Sequence, residues 1–424
     1  MEQTGVVAHV QLARLLAAAK RFPQAEKHYN AAVRLLDEAQ DAVAGMDGNQ
    51  QSEQVQQPLA YWKLLFELAH VTVQLCERRD AIAMYRRIVE HQPLFAEAHA
   101  NLAAQLMIDG ELESALRHCS TALEIAPNFR EAHYNMNVLL RRSARQDEAI
   151  ARYWGLIEQE TGEQLRPKQS RNGNQSLASM QRATDSELQS IMPVRVSVVC
   201  VKWGTKYGAE YVNKLFTSLT RNSSAVSTEI DFVYLTEDAS GVLTTHANLR
   251  CAPLEPGWKG WWNKLQVFSP RVSQLLRHDK CVFVDLDTVV VGSVDSLLQY
   301  EVPKGVLALL KTDNMVNEQR RDGYNSSMMM WRLERGESPF EHVYQQLHDH
   351  FTTISKFIYK FDHWLEMALP DVLFLEDVFP ESIVEYKSLD ESAAAPPEHA
   401  SIVCFPLQPK PHDAPASWIP QHWL

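Results

Sequence analysis

Three consecutive stretches of the chain, WKLLFELAHVTVQLCERRDAIAMYRRIVEHQPLF (62–95), AEAHANLAAQLMIDGELESALRHCSTALEIAPNF (96–129) and REAHYNMNVLLRRSARQDEAIARYWGLIEQ (from 130), align end to end without a gap, at a period of 34 residues. Alanine recurs at Ala81, Ala115 and Ala149, a larger residue follows four places later at Tyr85, Cys119 and Tyr153, and Pro93 and Pro127 close two of the units. A unit of this size cannot bury its apolar face alone, so copies must stack, and the small residues fall where two helices approach each other. An earlier copy begins near Val6, with Ala25 and Tyr29 in the matching places (6–39), and an insert rich in Gln and Gly, AGMDGNQQSEQVQQ, separates it from the others.

This pattern resembles the tetratricopeptide repeat, which implies an all-α solenoid over residues 1–160 built from paired antiparallel helices. Such an array has a concave and a convex face. It binds a segment of another protein, associates with itself as a homo-oligomer, or acts as a spacer. Asn101 and Asn135 hold the same place in successive units, on the first helix of each. Side-chain amides there offer both donor and acceptor, and such a ladder resembles the peptide groove of the protein O-GlcNAc transferases. Gln11 and Glu67 hold that place in the first two units.

After Glu160 the pattern dissolves. Residues 161–192 hold almost no large apolar side chains and several turn formers, and read as a linker. From 193 to 424 the period changes. Short β-rich runs at Val194 to Val201, Asp231 to Leu235, Val282 to Asp287 and Gly305 to Leu310 alternate with helical segments. That alternation predicts an α/β domain around a mostly parallel sheet covered on both faces, with ligands held at the carboxyl ends of its strands.

The run KCVFVDLDTVVVGS places Asp285 and Asp287 inside a strand-like apolar segment. Residues two apart in a strand share a face, so two carboxylates would stand side by side in apolar surroundings. Such a pair is costly unless a cation lies between them or the strand opens into a polar cleft. Mn2+ and Mg2+ suit carboxylate oxygens and complete their shells with substrate phosphates.

In its order of motifs the second half is similar to the GT-A-type glycosyltransferases, in particular the retaining group that contains glycogenin and the bacterial lipopolysaccharide galactosyltransferases. VFVDLDTVVVGSVDSLL resembles their DxD segment, with Leu286 between the acids. VCVKWGTKYG resembles the first strand and nucleotide loop, which gives Lys202, Trp203, Gly204 and Tyr207 as donor-binding residues. GWWNKLQVF brings Lys264 toward the donor, and GYNSSMMMW resembles the strand whose asparagine and small residue, here Asn325 and Ser326, line the sugar pocket. FDHWLEM places Asp362, with Asn325, in a catalytic role. Near the end, IVCFPLQPKPHDAP gives Lys410 for the diphosphate, but Cys404 stands where the family has a metal-binding histidine and Leu407 where it has glycine. His412, just after the Lys-Pro pair, is the substitute metal ligand to consider beside Asp285 and Asp287.

The resemblance implies metal-dependent transfer of a hexose from a UDP-sugar to an acceptor hydroxyl, on a protein recruited by the repeats. Two other classes remain open: a sugar nucleotidyltransferase, for which VKWGTKYG is a poor phosphate loop, and a non-catalytic adaptor with a degenerate transferase domain. Net charge of −12 supplies no basic platform for nucleic acid. No apolar run is long enough to span a bilayer and the start lacks a signal-peptide pattern, so a cytoplasmic location is expected. The six scattered cysteines form no disulfide or zinc pattern. Trp258, Trp261 and Trp262 suit stacking on sugar faces, but each is expected to pack instead, and Met328 to Met330 are expected to continue a buried strand.

Overall fold

A computed structural model describes residues 2–46, 59–143, 145–166, 193–243, 246–312, 323–335, 338–369, 371–406 and 408–423. The expected linker beyond residue 166, much of the Gln-rich insert, and Leu407 lie outside the described residues. The chain divides into two compact units, Met1–Ala149 and Ile150–Leu424.

The first unit is a tetratricopeptide-type array. Its helices are α1 (Glu2–Ala18), α2 (Phe22–Met46), α3 (Leu59–Gln74), α4 (Arg78–His91), α5 (Ala96–Asp109), α6 (Leu112–Ile125), α7 (Arg130–Arg142) and the start of α8 (Gln146–Thr161). The period survives at the level of helix ends: α6 begins and ends one repeat after α4, and α7 begins one repeat after α5. Ala81, Ala115 and Ala149 are fully buried, and the larger residues Tyr85, Cys119 and Tyr153 fill the space beside them. α5 ends at Gly110, whose φ of +88° is a left-handed conformation that a side chain would resist. One repeated bond was not legible in the alignment. His99 Nε2 donates to Pro93 O at 3.1 Å, and one period later His133 Nε2 faces Pro127 O at 2.7 Å. Each bond ties the loop that closes a unit to the first helix of the next.

The second unit is an α/β fold. Among the described residues its main sheet has seven strands in the order β3-β2-β1-β4-β7-β6-β8. The strands are β1 (Val194–Lys202), β2 (Thr228–Thr236), β3 (Leu249–Pro253), β4 (Lys280–Val284), β6 (Leu307–Lys311), β7 (Tyr324–Arg332) and β8 (Val372–Phe374). β3, β2, β1 and β4 run parallel, whereas β7 is antiparallel to β4 and β6. A second sheet joins β5 (Thr288–Val290), β10 (Ile402–Cys404) and β9 (Ile383–Glu385). Alternate residues enter opposite cores: Val198, Cys200, Val282 and Met330 pack on one face, and Val199, Val201, Phe283 and Met329 on the other. A period of two with both faces apolar is why these strands read as continuous hydrophobic runs.

The unit boundary falls inside α8, earlier than the expected end of the repeats at residue 160. Ala149 belongs to the core of the first unit, but Ile150, Tyr153, Trp154 and Ile157 belong to a core of the second. Trp154 Nε1 donates to Met367 O at 3.2 Å, and its ring meets Trp364 edge-on at 5.5 Å.

Candidate active site

The strand expected to run through both aspartates stops at Val284. The main sheet ends there because β5 pairs with β10 in the other sheet, so Asp285-Leu286-Asp287 is a turn between sheets rather than one face of a strand. Asp285 keeps one tie to the strands: its N–H donates to Ser327 O at 2.8 Å. Leu286 is buried, which anchors the turn in the core between the two carboxylates at the carboxyl end of β4.

Each carboxylate meets a buried lysine from a distant segment. Lys264, on the 3₁₀ helix Gly260–Phe268, places Nζ 2.8 Å from Asp285 Oδ2 and 3.2 Å from both Ser326 O and Ser326 Oγ. Lys410 Nζ lies 2.6 Å from Asp287 Oδ2 and also donates to Phe405 O. Tyr207 donates its hydroxyl to the same Asp287 oxygen at 2.7 Å. Burial pushes the Asp285 carboxyl up to about 6, with Asp287 adding to the rise and Lys264 opposing it. Burial works against the Lys264 ammonium too, but Asp285 and Asp362 outweigh it and hold its pKa above the usual lysine value. The Tyr207 phenol is raised by burial and then by the Asp287 charge, so it stays a neutral donor.

Other expected residues take places around this centre. Lys202 Nζ donates to Asp238 O at 3.3 Å, and the Gly204 N–H donates to Glu237 Oε2 at 3.1 Å, so both brace the first loop against the exit of β2. Trp203 is half-buried and packs on the core. Asn325 Oδ1 accepts from Ser327 N at 2.7 Å, and Asp362 Oδ1 accepts from Ser326 N at 3.1 Å. Asn325, Ser326 and Asp362 are thereby one constellation at the start of β7, the end that antiparallel pairing sets beside the exit of β4.

His412 is not bonded to the two acids. Its Nδ1 faces the Tyr211 hydroxyl and its Nε2 lies 3.2 Å from Asp413 Oδ2. Cys404 is buried, and burial followed by the charges of Asp285 and Asp287 raises its thiol far above the ordinary range. Among the described residues no three His, Cys, Asp or Glu side chains gather as a cation-binding group. The bonds above engage Oδ2 of each aspartate and leave Oδ1 of each without a hydrogen bond. That suits Mg2+ or Mn2+, which keep few protein ligands and take the rest from phosphates and water.

Sequence reasoning missed three neighbours. Tyr211 lies 4.6 Å from Tyr207, the ring planes tilted at 46°, and bonds His412. Lys360 lies 3.9 Å from Asp362 Oδ2, its ammonium lowered by burial against the pull of Asp362 and Glu366. Lys206 stands over the Tyr207 ring at 5.0 Å, lowered by burial and by Lys410. Only the position of Lys206 in the nucleotide loop offered a signal. In the first unit, both amides of the expected ladder are used within the array: Asn101 Nδ2 donates to Tyr85 OH at 3.3 Å and Asn135 Nδ2 to Ala100 O at 3.1 Å. These donors fasten neighbouring helices.

The architecture has two parts, a 34-residue helical-repeat array and an α/β unit, in one chain. No protein-family model and no curated protein matches the sequence. Solved structures are similar in each half. Galactosyltransferase LgtC, in complex with donor and acceptor sugar analogs, aligns over 53% of this chain and 93% of its own at 12% identity, TM-score 0.40. The bifunctional WbbM glycosyltransferase aligns over 53% of this chain and 48% of its own at 15% identity, TM-score 0.37. MamA from Desulfovibrio magneticus RS-1 aligns over 37% of this chain and 77% of its own at 14% identity, TM-score 0.29.

Proposed function

We propose that the second unit transfers a hexose from a UDP-sugar to an acceptor hydroxyl with retention of configuration, and that the repeats bring in the protein that carries the acceptor. The observation that supports this reading is the double ion pair Lys264–Asp285 and Lys410–Asp287, buried at the carboxyl end of the sheet. Four charges withdrawn from water are a costly structure, and apolar residues of similar volume would serve stability as well. Their use lies in meeting a charged ligand. An ammonium has three donors: Lys410 spends two on Asp287 and Phe405 O and keeps one for a phosphate oxygen, whereas those of Lys264 go to Asp285 and Ser326, so Lys264 acts on the diphosphate through its charge. In donor cleavage the leaving diphosphate gains negative charge, and fixed cations in a poorly solvated crevice stabilise that charge more strongly than water does. A divalent cation held by Asp285 and Asp287 would neutralise the same diphosphate.

Tyr207, fixed by its bond to Asp287 and its contact with Tyr211, offers a ring for the nucleotide base. Asn325, Ser326 and Asp362 orient sugar and acceptor. The deciding experiment incubates the protein with UDP-glucose, UDP-galactose or UDP-N-acetylglucosamine and Mn2+ and measures UDP. Release by the wild type that is lost in Asp285→Asn/Asp287→Asn supports the reading. Turnover of UTP with a sugar phosphate would instead establish a nucleotidyltransferase. An adaptor is favoured by one observation, the burial of Cys404 at the family histidine's place, and it gains if no sugar nucleotide is consumed.

A further inference from the structure

Two histidine pairs stand at the same place in two repeats of the first unit. His9 on α1 and His28 on α2 bring their Nδ1 atoms to 2.9 Å, and His99 on α5 and His118 on α6 bring theirs to 3.1 Å. The members of each pair are 19 residues apart. Counted from the repeat starts at residues 6 and 96, both pairs join the fourth place to the twenty-third. Their ring geometry coincides as well, with centroids 5.1 and 5.3 Å apart and planes at 35° in both.

The other two repeats show what the fold itself requires there. In the repeat that starts at residue 62 the two places hold Leu65 and Met84, and both pack in the core of the array. An apolar pair therefore serves the packing. In the repeat that starts at residue 130 they hold His133 and Arg152. His133 Nε2 bonds Pro127 O just as His99 Nε2 bonds Pro93 O, so the tie to the preceding loop needs no second imidazole. Neither packing nor that tie calls for His118. Burial lowers the pKa of His99 and of His118, and His99, Arg117 and Arg86 add to the fall at His118. An imidazole that stays unprotonated at neutral pH is one that a metal ion can bind.

Two convergent imidazole nitrogens are a donor set for a late transition metal. At metal–nitrogen bonds of about 2.0–2.1 Å, a tetrahedral ion spreads two nitrogens about 3.3–3.4 Å apart. Separations of 2.9 and 3.1 Å correspond to an angle of about 90–100° at the metal, the cis relation of a square-planar or tetragonal ion. The bond from His99 Nε2 to Pro93 O places that ring's proton on Nε2 and leaves the Nδ1 lone pair toward His118, as backbone carbonyls do for metal-ligating histidines. We propose that each pair chelates one Cu2+ or Ni2+ ion, which clasps the two helices of its repeat, α1 to α2 and α5 to α6. As the metal enters, the proton on His118 Nδ1 moves through solvent to Nε2 of the same ring, so both histidines bind as neutral imidazoles. Water completes the coordination shell, and Cu2+ binds more tightly than Ni2+. This inference does not rest on the transferase reading.

The test titrates Cu2+ into the chelator-stripped full chain at neutral pH, read by calorimetry and by electron paramagnetic resonance. One equivalent per pair is expected, each with the splitting of two imidazole nitrogens, and the first unit should melt at a higher temperature with the ions bound. Copper held by Asp285 and Asp287 would show oxygen ligands and no such splitting. His28→Met and His118→Met introduce the residue that the 62–95 repeat carries at that place, so packing is kept. Each variant should lose one equivalent, and the double variant should lose both. Leu65→His with Met84→His should add a new equivalent with the same splitting. Equal stoichiometry and splitting in the wild type and the double variant would mean an adventitious ion only and would overturn the proposal. A wild type whose bound Cu2+ lacks the two-nitrogen splitting would overturn it too, whether or not the variants fold.

Discussion

Lys410 reaches back across 123 residues of sequence to set its ammonium 2.6 Å from Asp287. The pair joins the C-terminal segment to the turn after β4, and both side chains are almost wholly withdrawn from solvent. Removing one partner leaves the other as an uncompensated buried charge. Lys410→Met is therefore expected to destabilise the second unit by about 3–5 kcal/mol. The double variant Lys410→Met/Asp287→Leu is expected to recover much of that loss while remaining unable to bind UDP. Thermal melts of the three proteins read this directly, and a single variant as stable as the wild type would show that the pair is not buried.

A second expectation concerns where the catalytic unit begins. Because Ile150, Tyr153, Trp154 and Ile157 are part of its core, a chain starting at residue 150 should fold and bind UDP. A chain starting at residue 161 loses Trp154 and its bond to Met367, and should aggregate or melt at far lower temperature, since deleting one buried tryptophan alone costs about 3–5 kcal/mol. Equal melting of the two truncated chains would remove α8 from the core.

Stability of the first unit should depend on pH through His99 and His118. Their Nδ1 atoms lie 3.1 Å apart, and since His99 Nε2 must donate to Pro93 O, His99 Nδ1 is the acceptor and His118 Nδ1 the donor. Burial lowers both pKa values, and His118 also faces the positive charges of Arg117 and Arg86. A base with a depressed folded pKa binds fewer protons folded than unfolded, so its stabilisation is complete above the unfolded value of about 6.5 and is lost as pH falls below it. Denaturant midpoints between pH 7.5 and 5 should fall, and His118→Gln should flatten the decline.

Glu376 works in the opposite sense. Its Oε1 accepts from Lys311 N at 2.9 Å, but its Oε2 is buried without a hydrogen-bond partner. Burial pushes its pKa up to about 7, opposed by the bond from the Lys311 backbone. An acid raised in the folded state binds more protons folded than unfolded, so the second unit should lose stability as pH rises from about 4.5 toward about 7. Glu376→Gln should flatten that slope, most of all above pH 6 where the raised Asp285 no longer contributes, and an unchanged slope would place the titration elsewhere.

Much of the architecture was legible because it is written as periodicity. Alanines at a fixed spacing announced paired helices, and apolar runs bounded by turn formers announced a sheet covered on both faces. The aspartate turn was harder. Val284 and Thr288 flank it with identical β-branched character, and nothing local reveals that the first pairs in one sheet and the second in another. The lysine partners were legible as candidates but not as pairs, since contacts across 21 and 123 residues are set by the tertiary fold. Asn101 and Asn135 show the converse: their recurrence was visible, but their donors are used inside the array. Trp261, 54% exposed against the expected packing, could not be told from Trp258 and Trp262, which pack on Phe351, because all three share one short polar turn, and only the fold turns one of them outward.

Coupled binding of UDP and Mn2+ tests the role of Asp285 and Asp287 most directly. Calorimetric titration of UDP into the wild type should show affinity that rises with Mn2+, and Mn2+ affinity that rises by the same factor with UDP, because linkage is reciprocal. In Asp285→Asn/Asp287→Asn both enhancements should vanish. Tight UDP binding that ignores Mn2+ in both proteins would contradict a cation bridging these carboxylates to the diphosphate.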